Sequence, residues 1–413
     1  MNDKKTILVI GTYDTKSDEL GYLTGRIAAQ GGVPLTMDVS VLGDPPAPTD
    51  ISKHQVAEAA GSSIRAAIDA GDENTAMQIM AAGASALARD VHAAGKIDGM
   101  IAMGGTMGTD LALDCALALP MGVPKYIIST VSFSPLIPAE RLSPDIQMIL
   151  WAGGLYGLNS VCKSSLSQAA GAVLGAARAV EPPVRDRPLI GMTSLGSSCL
   201  NYMVKLNPEL EKRGFEVAVF HSTGMGGRAF EGLAAQGAFV CVMDFCMQEF
   251  TNGVHGSVVN SGADRLTSAG LAGTPQIVAP GASDLVDMPA WSPVPDQWRD
   301  RPYHAHNRLI ASVAITAEER RQTARAMANK LSSATAPVHV ILPKRGIEEW
   351  DKEGEPAHDP EGLAAFLDEM RSSVKPPVGL TEIDAHINDQ AFADKALEIF
   401  DAWVADGTVK TSV

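Results

Sequence analysis

The residues best suited to hold a phosphate follow the first apolar segment of the chain, in the turn 11–16. This turn offers backbone amides, two hydroxyls, a carboxylate and an ammonium group, from Gly11, Thr12, Asp14, Thr15 and Lys16. Amides and hydroxyls bind phosphate oxygens, an ammonium group neutralises their charge, and a carboxylate can hold Mg²⁺ beside them. The turn therefore predicts a site for a phosphorylated ligand, with Asp14 as a candidate Mg²⁺ ligand.

A second turn with the same chemistry follows the apolar segment 98–103 and opens a predicted helix. Its candidate nucleotide-binding residues are Gly104, Gly105, Thr106, Gly108 and Thr109, and Asp110 is a second candidate for Mg²⁺. Adjacent glycines let a backbone approach a pyrophosphate closely. Neither turn matches the P-loop pattern or the strict dinucleotide fingerprint. Together the two turns indicate a nucleotide or phosphate ligand without distinguishing between them.

Side chains that can move protons are concentrated in the second half of the chain. We take His221, His304 and Arg265 as candidates to act on a substrate, because histidine titrates near neutrality and arginine is a fixed cation on an acidic protein. His306 follows His304 by two positions, so an extended segment would place both on one side. Arg265 ends a polar, glycine-rich stretch, 250–265, which we expect to be a long functional loop.

Parallel strands alternating with helices are the elements predicted to position these groups. Short apolar runs that end in polar turns, such as 6–10 and 188–193, are typical of strands buried on both faces. Ligands of open parallel sheets bind beyond the carboxyl ends of the strands, where the glycine-rich turns fall. Helical spacing extends over 17–29 and 317–331, and the segment 53–94 predicts two helices broken near Gly71.

The chain of 413 residues is too long for one core, so we predict two lobes. The fold class is α/β, with two Rossmann-like lobes, each a mostly parallel sheet flanked by helices, and a cleft between them. The proline break Glu181-Pro182-Pro183 divides them. Residues 1–183 form the lobe expected to bind the nucleotide or phosphate, and residues 184–413 form a C-terminal α/β lobe.

The net charge of −15 excludes the classes of partner that need a basic surface. An acidic field repels nucleic-acid backbones and anionic membranes, so we expect neither as a direct partner. Five cysteines without a CxxC pair, and a start that lacks a signal-peptide pattern, indicate the cytoplasm. No uncharged apolar stretch of 18 residues occurs that would cross a membrane.

Four segments together resemble a known family. They are 10–20 (IGTYDTKSDEL), 103–109 (MGGTMGT), 253–265 and 342–346 (LPKRG) with the acidic and proline residues that follow. Over about residues 5 to 405 the chain resembles the Tm-one-like ATP-binding domain family, which comprises bacterial proteins and the N-terminal part of a plant protein that inhibits tobamovirus RNA replication. One departure is Glu348, which stands where the family's late loop often carries a serine.

The resemblance implies a two-lobed, Rossmann-like protein that binds ATP and forms a homodimer, with the two glycine-rich turns as the nucleotide contacts. Three functions stay open. The first is a cytoplasmic enzyme that acts on a small metabolite with ATP or another phosphorylated ligand. The second is a non-catalytic protein whose interactions respond to a nucleotide. The third is a nucleotide-independent hydrolase or isomerase that uses side chains of the second lobe.

Overall fold

A computed structural model describes residues 4–154, 157–181, 183 and 186–412. The chain divides into two compact units, Met1–Val184 and Arg185–Val413, and each is described by itself. Of the predicted proline break, Pro182 lies outside the described residues, as does Val184. Within the described ranges, no helix is both long enough and apolar enough to cross a lipid bilayer.

Unit 1 is built on a sheet of five parallel strands. They are β1 (Thr6–Gly11), β2 (Val33–Asp38), β3 (Gly99–Gly104), β4 (Lys125–Ser129) and β5 (Ile146–Leu150). The strands lie in the order β2-β1-β3-β4-β5. Every residue of β3, at the centre, is buried, as expected for a parallel strand covered on both faces.

Six helices cover the two faces of this sheet. They are α1 (Ser17–Ala29), α2 (Lys53–Ala59), α3 (Ile64–Asp69), α4 (Glu73–Ala93), α5 (Thr106–Ala118) and α6 (Ser160–Ala179). One core joins α1 and α6 to the sheet, and a second core joins α2, α4 and α5 to the opposite face. The prediction of two helices between 53 and 94 was wrong, because Gly61 in the left-handed region ends one helix and Ser63 caps the next.

The strand order of unit 1 creates a crevice beside β1. Because β2 lies on one side of β1 and β3 on the other, the loops that leave β1 and β3 run to opposite faces of the sheet. Such a reversal of strand order is where open α/β sheets bind ligands. The turns 11–16 and 104–108 both leave the sheet at this point.

Unit 2 repeats this arrangement in a parallel sheet of six strands, and it has three further strands. Its strands are β6 (Leu189–Ser194), β7 (Glu216–His221), β8 (Cys241–Cys246), β9 (Gln276–Gly281), β10 (Leu285–Pro289), β11 (Tyr303–Ala305), β12 (Ile310–Ala314), β13 (Val338–Pro343) and β14 (Gly379–Ile383). The parallel sheet has the order β14-β13-β9-β8-β6-β7, so the reversal falls between β6 and β8. The predicted α/β class, with two mostly parallel sheets flanked by helices, is confirmed.

Unit 2 differs from unit 1 by a small antiparallel sheet, β10-β12-β11, that the sequence analysis did not predict. The helices of unit 2 are α7 (Met203–Lys212), α8 (Met225–Ala235), α9 (Gln248–Val254), α10 (Ser268–Leu271), α11 (Ala317–Leu331), α12 (Pro360–Ser373) and α13 (Gln390–Ala405). Cores join α7 and α13 to one face of the parallel sheet, and α8, α11 and α12 to the other. The prediction of a long loop over 250–265 was wrong for its first residues, because 250–254 belong to α9.

Candidate functional site

A cavity of about 610 Å³ opens in unit 1 at the carboxyl ends of β1, β2 and β3. The turn after β1 contributes Thr12, Asp14, Thr15 and Lys16, and the turn after β3 contributes the range 104–108. The structure therefore brings together most of the residues that the sequence assigned to a phosphorylated ligand.

Two helices begin at this cavity without a capping side chain among the described residues. Gly105 is the N-cap of α5 and Lys16 is the N-cap of α1, and neither makes a side-chain capping hydrogen bond. A helix N-terminus presents backbone N–H groups and a partial positive charge, both of which favour an anion. The hydroxyls of Thr12 and Thr15 lie 3.0 Å apart beside the first of these termini.

Asp14 and Lys16 supply opposite charges to the same cavity. The Lys16 ammonium lies 5.3 Å from the centre of the Trp151 ring. Asp14 accepts a hydrogen bond from the Gly43 amide through Oδ2 at 3.1 Å, and its buried Oδ1 has no hydrogen-bond partner in the described part of the chain. A carboxylate oxygen is a group that can bind Mg²⁺, which keeps several waters among its other ligands.

The wall opposite the glycine-rich turns is mostly apolar. It is formed after β2 by Val39, Val41 and Leu42, and from the α3 and α4 side by Ile68 and Met77. Leu42 is 80% exposed, which is unusual for a leucine that lines a cavity. The cavity therefore combines an apolar wall with turns that are rich in backbone amides and hydroxyls.

Gly11 and Thr109 do not line this cavity. A Cβ on Gly11 would lie 2.7 Å from a methyl group of Leu20, so this glycine lets α1 pack against the end of β1. The Thr109 hydroxyl bonds to the Gly105 carbonyl and to the Ser129 hydroxyl, each at 2.6 Å. Both residues support the turns that line the cavity.

Asp110 also lies away from the large cavity. Its carboxylate pairs with Arg141 at 2.8 Å, and the two residues line a separate cavity of about 90 Å³. Asp110 and Asp14 are therefore not brought together as joint Mg²⁺ ligands. Across the described ranges, no cluster of three or more His, Cys, Asp or Glu side chains is arranged to hold a metal ion.

A second cavity, of about 480 Å³, opens in unit 2 at the corresponding place, beyond β6, β7 and β8. The loop after β6 contributes Cys199, the end of β7 contributes His221, and the start of α9 contributes Gln248. The antiparallel sheet closes another side with Asp287 and Ser312. Because the unpredicted sheet forms this side, the sequence analysis missed the cavity's floor.

The histidines predicted to act on a substrate lie at or next to this cavity. His221 and His306 line it, and the Nδ1 atom of His221 lies 3.0 Å from the Thr223 hydroxyl. His304 does not line the cavity. The centre of its ring lies 4.3 Å from the centre of the Trp350 ring, and Trp350 does line the cavity. The structure thus replaces His304 with His306 as the histidine that faces the cavity.

Asp287 forms an acidic floor between these histidines. It is 5% exposed and accepts a hydrogen bond from the Ser312 hydroxyl at 2.6 Å. Burial raises the pKa of the Asp287 carboxyl, while hydrogen bonds from Ser312 and Asn252 and the charges of His306 and His221 act to lower it. The cavity therefore has a buried acidic group close to its two lining histidines.

Arg265, the expected cation for an anionic ligand, is buried in a cluster of carboxylates. Its guanidinium contacts Asp244 at 2.7 Å, Glu249 at 3.0 Å and Glu231 at 3.2 Å. The side chain is 1% exposed and does not line the cavity of unit 2. Arg265 therefore neutralises the protein's own acids.

A buried acidic group beside the second cavity escaped the sequence analysis. The Cys199 thiol donates a hydrogen bond to Glu348 Oε2 at 3.3 Å. Burial raises the pKa of Glu348, and nearby Asp284 raises it further. Asp284 is 1% exposed, and neither of its carboxylate oxygens has a hydrogen-bond partner among the described residues. The one sequence signal was Glu348 in the position where the resembled family often carries serine.

The fold and its two cavities define a two-unit α/β protein of Rossmann-like architecture. Two family models match the chain, the UPF0261 N-terminal domain over residues 5–182 and the UPF0261 C-terminal domain over residues 187–404. The chain belongs to this family, which is described as the uncharacterised protein family UPF0261.

Relatives of the family span nearly the whole chain. A UPF0261 protein of Brucella melitensis is 61% identical over 403 residues, which cover 98% of this chain and 96% of the relative. A UPF0261 protein of Clostridium tetani is 33% identical over 94% of this chain and 96% of its own. The ToMV resistance protein Tm-1(GCR237) of Solanum lycopersicum is 30% identical over 73% of this chain and 41% of its own length. The resemblance drawn from the motifs is confirmed as kinship, and ATP binding stays a prediction.

Proposed function

We propose that this protein binds ATP together with Mg²⁺ in the cavity of unit 1, and that it is an enzyme acting on a small metabolite. One observation carries the proposal. The N-termini of α1 and α5 meet at the reversal of strand order beside Lys16, with no capping side chain among the described residues. Two helix ends and an ammonium group suit a polyphosphate better than a single phosphate.

In this proposal the residues of the two turns divide the work of holding the phosphates. The amides at 105–108 approach the phosphate chain, which is possible because Gly105 carries no side chain. Lys16 neutralises charge, and the hydroxyls of Thr12, Thr15 and Thr106 bind phosphate oxygens. The residues present fit Mg²⁺ in one respect, since Asp14 offers a carboxylate oxygen without a partner. When bound, Mg²⁺ neutralises phosphate charge that an acidic protein would repel.

The apolar wall gives the proposal its base-binding end. Val39, Val41 and Ile68 offer aliphatic surface to one face of a purine, and the exposed Leu42 stands at the rim of the same wall. Burying this surface against a ring would add to the affinity by the hydrophobic effect. The proposal also includes a cytoplasmic location and a homodimer. Light scattering of the purified protein would test the homodimer.

Isothermal titration of the full chain with ATP and MgCl₂ is the direct test. We expect saturable heat at micromolar to millimolar ATP, less heat with AMP, and weaker binding when Mg²⁺ is chelated. Absence of heat with ATP at millimolar concentration would reject the proposal. Turnover separates an enzyme from the second candidate, a nucleotide-responsive interaction protein, which the tomato relative favours because it is named a resistance protein. Intact ATP after incubation with a metabolite mixture would favour that second candidate.

A further inference from the structure

We propose that the cavity of unit 2 is a second ligand site, and that its ligand is an uncharged, polyhydroxylated ring molecule of the sugar class. The site lies at the same place in the strand order as the cavity of unit 1, beyond β6 and β8. Its chemistry differs, because in the described part of unit 2 no lysine or arginine lines the cavity and the N-cap amide of α8 already donates to a carboxylate. This inference stands apart from ATP binding and does not depend on it.

The groups that could attract a phosphate in unit 2 are already satisfied by the protein. The Gly224 amide, at the N-cap of α8, donates to Glu249 Oε2 at 2.7 Å. Glu249 in turn is held by Arg265, whose charge is shared among buried carboxylates. Within the described chain, no lysine or arginine lines the cavity. A phosphorylated ligand would therefore meet a closed helix end and the Asp287 carboxylate, but no fixed cation.

Two tryptophans give the cavity flat apolar surfaces. Trp291 is 75% exposed at the cavity, and Trp350 forms part of the lining. Leu309, 74% exposed, lies in the same lining. Large apolar side chains exposed around a cavity mark a surface that a ligand covers. The face of an aromatic ring packs against the C–H groups on one side of a sugar ring, and the polarised C–H groups favour the negative face of the aromatic system.

The floor of the cavity is polar and carries both donors and acceptors. Asn307 uses Oδ1 to accept the Leu309 and Ile310 amides, which leaves its Nδ2 as a donor in the described structure. Gln248 donates through Nε2 to the Leu285 carbonyl, which leaves its Oε1 as an acceptor. Asp287 adds carboxylate oxygens, and each keeps a lone pair beyond its present bond. A molecule with several hydroxyls can donate to and accept from all of these groups.

The two histidines favour an uncharged ligand over a cationic one. His221 and His306 line the cavity from two separate elements, the end of β7 and the segment between β11 and β12. When either imidazole is protonated it repels a cation, whereas a hydroxyl can donate to the neutral ring or accept from the charged one. Hydroxyl groups are therefore the ligand chemistry that suits these imidazoles in both protonation states.

The test is isothermal titration of the full chain with D-glucose, D-galactose, D-mannose, D-fructose and D-xylose, and with inorganic phosphate as the charged probe. We expect at least one sugar to bind saturably below about 50 mM, which corresponds to weak single-ring recognition. The Trp291 side chain is mostly exposed. Trp291→Ala should therefore reduce the affinity for that sugar by about tenfold, because the stacking contact is lost. Its thermal midpoint should match that of the wild type.

Matched variants separate this site from the rest of the molecule. His221→Gln should also reduce the affinity for the sugar. His54 is an exposed histidine of unit 1, and His54→Gln should leave that affinity unchanged. Gly105→Ala in unit 1 should leave sugar binding unchanged, so that failure of the ATP proposal and failure of this one are distinguishable. The proposal is overturned if none of the five sugars gives saturable heat, if Trp291→Ala binds as the wild type does, or if inorganic phosphate binds in a manner that His221→Gln abolishes.

Discussion

Gly104 and Gly108 approach each other so closely that a Cβ on Gly104 would lie 2.6 Å from the Cα of Gly108. The last residue of β3 therefore packs directly on the first turn of α5, and this contact fixes where the helix begins. Gly105, between them, has space instead, because a Cβ there would meet its nearest neighbour, the Thr130 hydroxyl, at 3.9 Å. Neighbouring glycines thus have separate roles, one in packing and one at the cavity.

Substitution of these two glycines should separate folding from binding. Gly104→Ala forces Cβ into the backbone of α5 and should lower the free energy of unfolding by about 1–3 kcal/mol, as overpacking does. Gly105→Ala should leave stability unchanged and reduce ATP affinity by about tenfold, since a methyl group would stand between the phosphates and the amides. Thermal melts and titration calorimetry measure the two effects. Equal ATP affinity in Gly105→Ala and the wild type would contradict the proposed phosphate position.

Removal of the Lys16 ammonium group should weaken ATP binding, whereas removal of an ammonium group outside the cavity should not. Lys16→Ala should reduce ATP affinity roughly tenfold to hundredfold, the range expected for loss of a charge-assisted hydrogen bond. Lys163→Ala is a matched control, because its ammonium also lies near an aromatic ring, 5.8 Å from the centre of Tyr22, but does not line the cavity. The same loss of affinity in both variants would show a general charge effect and would count against the site.

The buried cation of unit 2 should matter for stability far more than a surface cation. Arg265→Met leaves Asp244, Glu249 and Glu231 without their shared positive charge, and we expect unfolding to become easier by about 3–5 kcal/mol. Arg345→Ala breaks an exposed pair with Asp384 and should change stability little. Urea unfolding of the three proteins measures the difference. A wild-type midpoint in Arg265→Met would mean that the carboxylates are neutral.

The buried acid Glu348 should make stability fall as the pH rises. Its pKa is raised above the ordinary 4.5 by burial and by Asp284, so the folded state holds the proton more tightly than the unfolded state. The stability that it contributes is fully present below pH 4.5 and is lost as the pH rises through the raised pKa. Glu348→Gln keeps a neutral side chain of the same shape and removes this dependence.

The expected result is a steeper fall of the wild-type thermal midpoint than of the Glu348→Gln midpoint between about pH 5 and about pH 9. Glu353→Gln, an exposed acid of the same loop, should follow the wild-type curve. Parallel curves for all three proteins would show that Glu348 titrates in its ordinary range.

Local sequence patterns were enough to predict two of the helices and the position of the two glycine-rich turns. The limits predicted for the helices 17–29 and 317–331 coincide with those of α1 and α11. Both have an apolar face, α1 is followed by Gly31 in the left-handed region, and α11 begins with a capping box at Thr316. The meeting of the turns 11–16 and 104–108 at one cavity followed from the rule that parallel strands place their carboxyl ends together. Sequence alone therefore predicted that these two turns lie together at the first cavity.

The second cavity depended on pairings that no local pattern reveals. Strands β10 to β12 are three to five residues long, too short for a reliable alternation, yet they supply Asp287 and Ser312 to the floor. Arg265 looked like an available cation because its carboxylate partners come from three other elements, through Glu231, Asp244 and Glu249. Burial and pairing are properties of the assembled sheet, and they reversed the expected role of this residue.

The uncapped start of α5 has a consequence for how the protein and its ligand depend on each other. Several helices in the described part of the chain close their first turn with a side chain, as Ser52, Asp72 and Thr316 do. At Gly105 no such group exists among the described residues. Under the proposed function, an anion bound there would complete the hydrogen bonding of the helix from outside, so the ligand would become a part of the secondary structure and its departure would leave the helix unfinished.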